Sequence, residues 1–287
     1  MPSPTQRSSS QATDALGQSL GYDSEVITWR LRRLAHSLLG NLDEVNIAFR
    51  IIGGTGGTML DVGAHQGLSM APFLQRGWEV YGFEPDPANR AILSSRCPDA
   101  TIDPRAVSEV DGETVQLFTS AISAGISTLS PFHETHAATT TVRTVRLDTF
   151  IREHQIDQVD FLKTDIEGFD LIALRTFPWE THHPRAVVCE FEDRKTTPLG
   201  YSSRDTADFL ADKGYAVLVS EWYPVVEYGG RHRWRRFERY PTQIDSRSWG
   251  NFIAVDPELF GALEREGRFA VRRLHARRLV DRLRRTR

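Results

Sequence analysis

The sequence is poor in cysteine: Cys97 and Cys189 are the only two in 287 residues. Two thiols build neither a disulfide framework nor the four-ligand cage of a structural zinc site. Long apolar runs are also missing. No stretch approaches the ~20 residues that a membrane-spanning helix needs, and the opening MPSPTQRSSSQATDALGQ has no apolar segment of signal-peptide type. Neither sign of charge dominates, with 35 Lys+Arg against 38 Asp+Glu and a formal net charge of -3. That balance excludes a generally nucleic-acid-seeking surface and leaves only local patches. Together these absences predict a soluble protein of a reducing compartment, the cytoplasm. What is present is globular: 40% hydrophobic and 10% aromatic residues, in a chain long enough to bury a sizeable core.

Residues 1–22 are rich in Ser, Gln and Thr without periodicity and read as a disordered tail. Residues 23–57 carry two amphipathic stretches, Val26, Ile27, Leu31, Leu34 and Leu38, then Val45, Ile47, Ala48 and Ile51. They are expected to form helices that act as a lid or docking element. The cluster Gly53-Gly54-Thr55-Gly56-Gly57 lacks the Lys-Ser/Thr ending of a phosphate loop and precedes a strand instead of following one. It reads as a flexible entry into a sheet.

Across residues 58–256 short apolar runs alternate with helical patterns. Strands are expected at Met59–Val62, Glu79–Phe83, Ala100–Asp103, Val159–Thr164, Ala186–Phe191, Tyr215–Ser220 and Gly250–Val255. Helices are expected at Leu68–Arg76, Asp86–Arg96, Gly168–Arg175 and Ser203–Lys213. The alternation predicts an α/β, Rossmann-like fold: a mostly parallel seven-stranded sheet with helices on both faces. The Ser/Thr-rich stretch 114–148 reads as a hairpin-like insertion. Residues 257–287 hold ten arginines against four acids, a net +6, and form a basic C-terminal extension. It suits peripheral contact with an anionic membrane or a partner, and equally a solvated helix, because its apolar stripe is thin.

In an open α/β sheet, ligands bind beyond the carboxyl ends of the strands. The first strand ends in Asp61-Val62-Gly63-Ala64-His65-Gln66-Gly67. Gly63 allows a tight turn and close approach to a ligand, Gly67 allows close helix–strand packing, and His65 suits a left-handed turn position. Glu84 ends the second strand, where an acid accepts the hydroxyls of an adenosine ribose. No pyrophosphate cradle is near, and Asp61 suits a positive amine. Adenosine with an ammonium group and no phosphates describes S-adenosylmethionine. Arg105 and Ala106 follow the third strand, where backbone groups meet an adenine edge or simply join the core. The fourth strand ends in Lys163-Thr164-Asp165-Ile166-Glu167-Gly168. Asp165 and Glu167 are placed to hold and deprotonate a methyl acceptor, or to cap the next helix. Glu190, from the fifth strand, brings a further carboxylate. With Asp165 it is a candidate Mg²⁺ ligand, or it pairs with arginine or a substrate hydroxyl.

The segments D-V-G-A-H-Q-G, Y-G-F-E-P-D-P, R-A-V-S, G-I-S-T-L, V-R-L-D-T-F and L-K-T-D-I-E-G-F-D occur in that order between residues 58 and 192. They resemble the FkbM-type methyltransferase family. The resemblance implies a class I S-adenosylmethionine-dependent fold and O-methylation of a hydroxyl on a sugar, glycolipid, polysaccharide or polyketide-type product. It implies a cofactor loop of Asp61, Gly63 and Gly67, Glu84 on the ribose, Ala106 near adenine and Asp165 near the methyl donor. Ser127 matches the family's small polar position in the inserted strands. Asp148 matches an acid after Leu147, and reads here as the N-cap of a helix at Thr149–His154. His65 stands where the family often has Asn, and Asp170 where Glu is usual.

Asp165 is the first candidate for the base, with Glu167, His133 or His136 as helper. Specificity is expected from residues 221–249, where Trp222, Tyr223, Arg233, Trp234 and Arg236 mark an arginine-aromatic segment. Aromatic faces stack on sugar rings and arginine forks grip carboxylate or phosphate, which suits an acidic or phosphorylated glycan. The same composition suits single-stranded nucleic acid, so a nucleic-acid methyltransferase is one alternative. The fourth strand's ending speaks against base methylation, and no stable nucleic-acid partner is expected. A non-catalytic cofactor-binding scaffold is the other alternative; intact Asp61, Glu84 and Asp165 speak against it.

Overall fold

The structure, a computed structural model, describes residues 42–226 and 232–285. The predicted helix before residue 42 lies outside the described residues. Residues 42–270 form one compact unit, and the account below concerns that unit.

The chain enters through α1 (Glu44–Ile52), capped by Asp43, whose side chain accepts from Asn46 N at 2.9 Å. Its buried face is Glu44, Ile47, Ala48, Phe49 and Ile52, packed against the sheet and against Phe73, with ring centroids 4.4 Å apart. The second amphipathic stretch is therefore a cover of the sheet and not a lid. After β1 (Thr58–Val62), only α2 (Ala71–Leu74) replaces the helix expected over Leu68–Arg76. Pro72, which lacks an N–H, sits in its first turn and Gly77, at φ 72°, lies just beyond its end. There follow β2 (Glu79–Phe83), α3 (Pro87–Arg96), β3 (Thr101–Asp103) and β4 (Ala106–Val107). The insertion is β5 (Thr114–Ser120), β6 (Ser123–Thr128) and β7 (His136–Val145). Then come α4 (Leu147–Glu153), β8 (Phe161–Thr164), α5 (Asp170–Thr176), β9 (Ala186–Glu192), α6 (Asp193–Thr196) and α7 (Ser203–Asp212). The chain closes with β10 (Ala216–Trp222), β11 (Trp234–Arg239), β12 (Trp249–Val255) and α8 (Phe260–Arg285).

The main sheet has the order β11-β10-β12-β9-β8-β1-β2-β3. Pairing is parallel from β3 to β9 and antiparallel at β9–β12, β12–β10 and β10–β11, so six of eight strands share one direction. The expected seven strands are thus eight. The extra edge strand β11 comes from the arginine-aromatic segment, where Arg and Glu face solvent and strand periodicity is weak. Central strands covered on both faces are largely apolar, and in β9 every residue is buried, Glu190 and Glu192 at its carboxyl end included. Asp61 and Lys163, register partners in β1 and β8, are likewise buried and charged. A second sheet, β4-β7-β5-β6, is the insertion.

Asp148 is not an N-cap. The helix begins two residues earlier, at Leu147, and Asp148 lies in its first turn, bonded to Arg146 at 2.8 and 2.9 Å. An acid there still meets the positive end of the helix.

Candidate active site

A cleft of about 290 Å³ opens beyond the carboxyl ends of β1, β2 and β8. Behind its wall lies the Asp61–Lys163 pair. Lys163 Nζ donates to Asp61 Oδ1 at 2.9 Å and to the Gly63 carbonyl at 3.0 Å, and lies 3.5 Å from Asp165 Oδ2. Ser69 Oγ donates to the other Asp61 oxygen. Burial works against the charge on Lys163, and the Asp61 and Asp165 carboxylates overcome it and raise its pKa. Asp61 is wholly buried behind the cleft wall. It is linked to the turn through Lys163, which also bonds the Gly63 carbonyl.

The turn itself depends on Gly63, at φ 84°. A Cβ there would lie 2.0 Å from the Asp165 carbonyl oxygen, a distance no side chain tolerates. The Gly63 and Ala64 amides both donate to the Phe83 carbonyl, at 3.1 and 3.0 Å. His65 takes the left-handed conformation, φ 48°. Its Nε2 is buried on the cleft wall without a hydrogen-bond partner among the described residues, and burial lowers its pKa. Gly67 packs elsewhere than expected: a Cβ would meet Cys97 Sγ at 2.6 Å and Leu93 at 2.8 Å, so it makes room for the end of α3.

Glu84 is 5% exposed. The backbone N–H of Asp86 binds it at 2.9 Å and that of His65 supports it, yet burial pushes its pKa up to about 7. Ala106 and Val107 give an apolar wall beside it. Arg105 also borders the cleft, but its guanidinium is committed to Asp103 and Glu153, each at 2.7 Å, leaving only its stem and backbone for a ligand. Opposite, β6 supplies Gly125, Ser127 and Thr128. Ser127 Oγ donates to Asp86 at 3.3 Å, and Thr128 Oγ1 to the Glu167 carbonyl at 3.2 Å. Asn89 was not anticipated. It lines the cleft and its Nδ2 donates to the Ala124 carbonyl at 3.0 Å, fixing β6 over the opening. Of the expected cofactor residues, Gly63, His65, Glu84, Arg105, Ala106 and Asp165 wall the cleft, while Asp61, Ala64 and Gly67 lie behind it.

The other end is acidic. Asp165 is 42% exposed in its side chain; Glu167 and Glu190 are buried. Neither Asp165 nor Glu167 caps α5. Asp170 takes the free amides there, from Ile166 N at 3.2 Å and Gly168 N at 3.3 Å. Glu167, at φ 58°, turns back to Lys195. Lys195 Nζ lies 2.6 Å from Glu167, 2.9 Å from Glu190 and 3.0 Å from Glu192. Oxygens of Asp165, Glu167 and Glu190 lie within 4.8 Å of one another, a spacing that a divalent ion would accept. The Lys195 ammonium already stands against two of the three. These donors therefore do not fit Mg²⁺, and no step is drawn through a metal.

The arginine-aromatic segment is mostly structural. None of Trp222, Tyr223, Arg233, Trp234 and Arg236 lines the cleft; Trp249 does. Arg235 and Arg236 bind the buried Glu221 at 3.0 and 2.6 Å. Arg233 lies over the exposed Tyr223 ring at 4.8 Å. These side chains close the edge strand β11 onto β10, so their composition misled. The two insertion histidines are engaged too. His136 bonds the Ile126 carbonyl at 2.9 Å and accepts from Phe132 and His133 amides, and His133 bonds Thr135 at 2.8 Å.

A buried acid at the end of β2, a small apolar wall, a glycine turn without a phosphate cradle and a cluster of acids, set at the switch point of a mostly parallel sheet, fit an adenosyl sulfonium. They define a class I S-adenosylmethionine-dependent methyltransferase. The Methyltransferase FkbM domain matches residues 61–217, more than half of the chain. The chain belongs to the FkbM methyltransferase family.

Among solved structures it is similar to the O-methyltransferase from Bacillus cereus in complex with SAH, with 11% identity and a TM-score of 0.41 over 86% of this chain and 97% of that one. It is similar to a TehB-like SAM-dependent methyltransferase from Corynebacterium glutamicum, with 14% identity and a TM-score of 0.37 over 81% and 97%. Precorrin-6y C5,15-methyltransferase from Geobacter metallireducens gives 12% identity and 0.37 over 74% and 87%. No curated protein sequence matches the chain. No described helix is long and apolar enough to cross a membrane.

Proposed function

We propose that the chain methylates a hydroxyl group on a sugar-containing acceptor: a free sugar, a glycolipid, a polysaccharide or a polyketide-type product. The observation that carries this reading is the position of Asp165. It is a half-exposed carboxylate on the cleft wall, at the end of β8 and next to the turn of Gly63. A neutral hydroxyl is a poor nucleophile, and a positioned carboxylate that takes its proton accelerates transfer by ~10²–10⁴-fold. When bound, S-adenosylmethionine supplies a methyl group on a positively charged sulfur. Methyl transfer to the hydroxyl oxygen would leave the cofactor as a neutral thioether, and Asp165 is placed to take the hydroxyl's proton. Lys163, 3.5 Å away, orients that carboxylate. The Trp249 ring, on the same wall, offers a face for a sugar. Holding oxygen, carbon and sulfur in line is worth ~7–11 kcal/mol by itself.

The nucleic-acid alternative loses part of its motive, since Arg235 and Arg236 are engaged with Glu221. The test is transfer of labelled methyl into extracts of a host lacking this protein. Label in a glycan or glycosylated product, as a base-stable ether, supports the reading. Label in nucleic acid or on nitrogen overturns it.

A further inference from the structure

The stretch of β6 that borders the cleft is held by side chains more than by its own sheet. Its ladder to β5 pairs Ser120 with Ser123 and Phe118 with Thr128, and the register shifts in between. Residues 124–127 fall in that gap, and Ala124, Gly125 and Ser127 among them line the cleft. The chain there is fastened from other elements. The Ala124 carbonyl accepts from Asn89 Nδ2 at 3.0 Å, and the Ile126 carbonyl bonds His136 Nε2 at 2.9 Å. Ser127 Oγ donates to Asp86 Oδ2 at 3.3 Å. An irregular edge strand beside a site takes its aim from such tethers.

Two of the three tethers come from the start of α3, which also touches the donor end of the cleft. Asp86 caps α3, accepting from Ala88 N at 2.8 Å, and its own N–H donates to Glu84 Oε1 at 2.9 Å. Asn89 is 3% exposed. Its Oδ1 accepts from Gln66 Nε2 of the glycine turn at 3.4 Å, and Arg96 Nη1 donates to Gln66 Oε1 at 2.8 Å. The far end of β6 reaches the acidic end of the cleft, where Thr128 Oγ1 donates to the Glu167 carbonyl. The strand therefore runs from the residues about Glu84 to those about Asp165, and Asn89 joins its middle to the turn.

We propose that Asn89 is a positioning residue for methyl transfer: its amide ties the middle of β6 to the turn at residues 63–67, so that filling the donor end of the cleft stiffens the wall that the acceptor meets. The proposal rests on the methyltransferase reading above and adds how the site couples its two ligands. Both ends of the amide are used, Oδ1 toward Gln66 and Nδ2 toward Ala124, so a ligand that orders the turn also orders the strand. A carboxylate of the same shape keeps the acceptor for Gln66 and loses the donor for Ala124. Asn89 stands in the first turn of α3, where an acid favours the helix. Asn89→Asp thus removes one bond and leaves the helix its support.

The test is hydrogen exchange read by mass spectrometry on the full chain, with and without S-adenosylhomocysteine. Calorimetry with the same probe, and transfer of labelled methyl into extracts of a host lacking this protein, accompany it. In the parent, S-adenosylhomocysteine is expected to slow exchange at residues 124–127 by about tenfold, together with that at residues 63–67. Asn89→Asp is expected to abolish the slowing at 124–127 and keep it at 63–67, with S-adenosylhomocysteine affinity near the parent's. Its transfer rate at saturating donor should fall by ~10²-fold, the scale of a small misplacement in the site. Ser127→Ala, which removes the second tether, should move exchange and rate in the same direction, and carries the test if Asn89→Asp does not fold. Unchanged exchange at 124–127 in a parent that binds the probe overturns the proposal. So does slowing that survives Asn89→Asp, or full transfer by that variant. Loss of S-adenosylhomocysteine affinity in Asn89→Asp also overturns it, by making Asn89 a residue that binds the donor. A parent that does not bind S-adenosylhomocysteine at all overturns the reading of the cleft, and the proposal with it.

Discussion

Glu44 Oε1 accepts the indole N–H of Trp222 at 2.9 Å, and Ser220 Oγ donates to the same oxygen at 2.6 Å. Trp222 in turn stacks on Trp249, with centroids 5.3 Å apart and planes 28° from parallel. An acid on α1 thereby steadies an aromatic wall of the cleft, and every residue of this chain of contacts save Ser220's neighbours in β10 is remote in sequence from the next.

Truncating Glu44 to Ala leaves two buried donors without an acceptor, at ~1–3 kcal/mol each at most. Glu44→Ala is expected to lower the denaturant midpoint, while Glu44→Gln keeps the acceptor oxygen and most of the stability. Burial raises the Glu44 pKa above its usual 4.5. Its contribution is therefore complete below that value and fades as pH rises through the higher folded one. Glu44→Gln should flatten that part of the stability profile; an unchanged profile would refute the assignment.

Lys163→Met removes the partner of a fully buried carboxylate. Breaking a buried pair in this way costs ~3–5 kcal/mol, because Asp61 keeps only Ser69. Chemical denaturation should show a loss of that order, together with weaker cofactor binding as the Gly63 turn loosens.

Gly63→Ala combines a left-handed backbone, which disfavours a side chain by roughly 1–2 kcal/mol, with the clash against the Asp165 carbonyl. Calorimetry should find cofactor affinity lost even in protein that remains folded. Affinity equal to the parent's would show that the turn yields without consequence.

Glu84 carries a carboxyl pushed up to about 7 by burial. Ribose hydroxyls donate best to the ionised form, so S-adenosylmethionine affinity is expected to rise between pH 6 and 8, a window set by that value. Glu84→Gln should abolish the pH dependence and weaken binding by about tenfold, the scale of one hydrogen bond to a charged group.

Asp165→Asn tests the base. A fall in kcat of ~10²–10⁴-fold with unchanged cofactor affinity is expected, and full activity would reassign the proton's destination.

The alternating strands and helices, the Gly63 turn, the left-handed His65 and the acid at Glu84 were all legible, because each rests on local backbone chemistry or on the period of apolar residues. The cleft's second layer was not. Lys163 sits inside an apolar strand and Lys195 in a short polar helix, and only register and packing bring them to their carboxylates. A compositional hint existed: the chain has three lysines against 32 arginines, and two of the three are buried beneath the cleft. The arginine-aromatic segment misled for the opposite reason. Its residues look like a binding surface until Glu221, buried and charged, is seen to need Arg235 and Arg236.

The small sheet β4-β7-β5-β6 is anchored at one edge, where Val107 of β4 and Val145 of β7 enter the main hydrophobic core. Its other edge, β6, meets the cleft through polar contacts such as Asn89 to Ala124, Ser127 to Asp86 and Thr128 to Glu167. Only that outer edge is exchangeable: grafting residues 114–128 between relatives offers a route to retarget methylation while the parental core passes intact into the chimera.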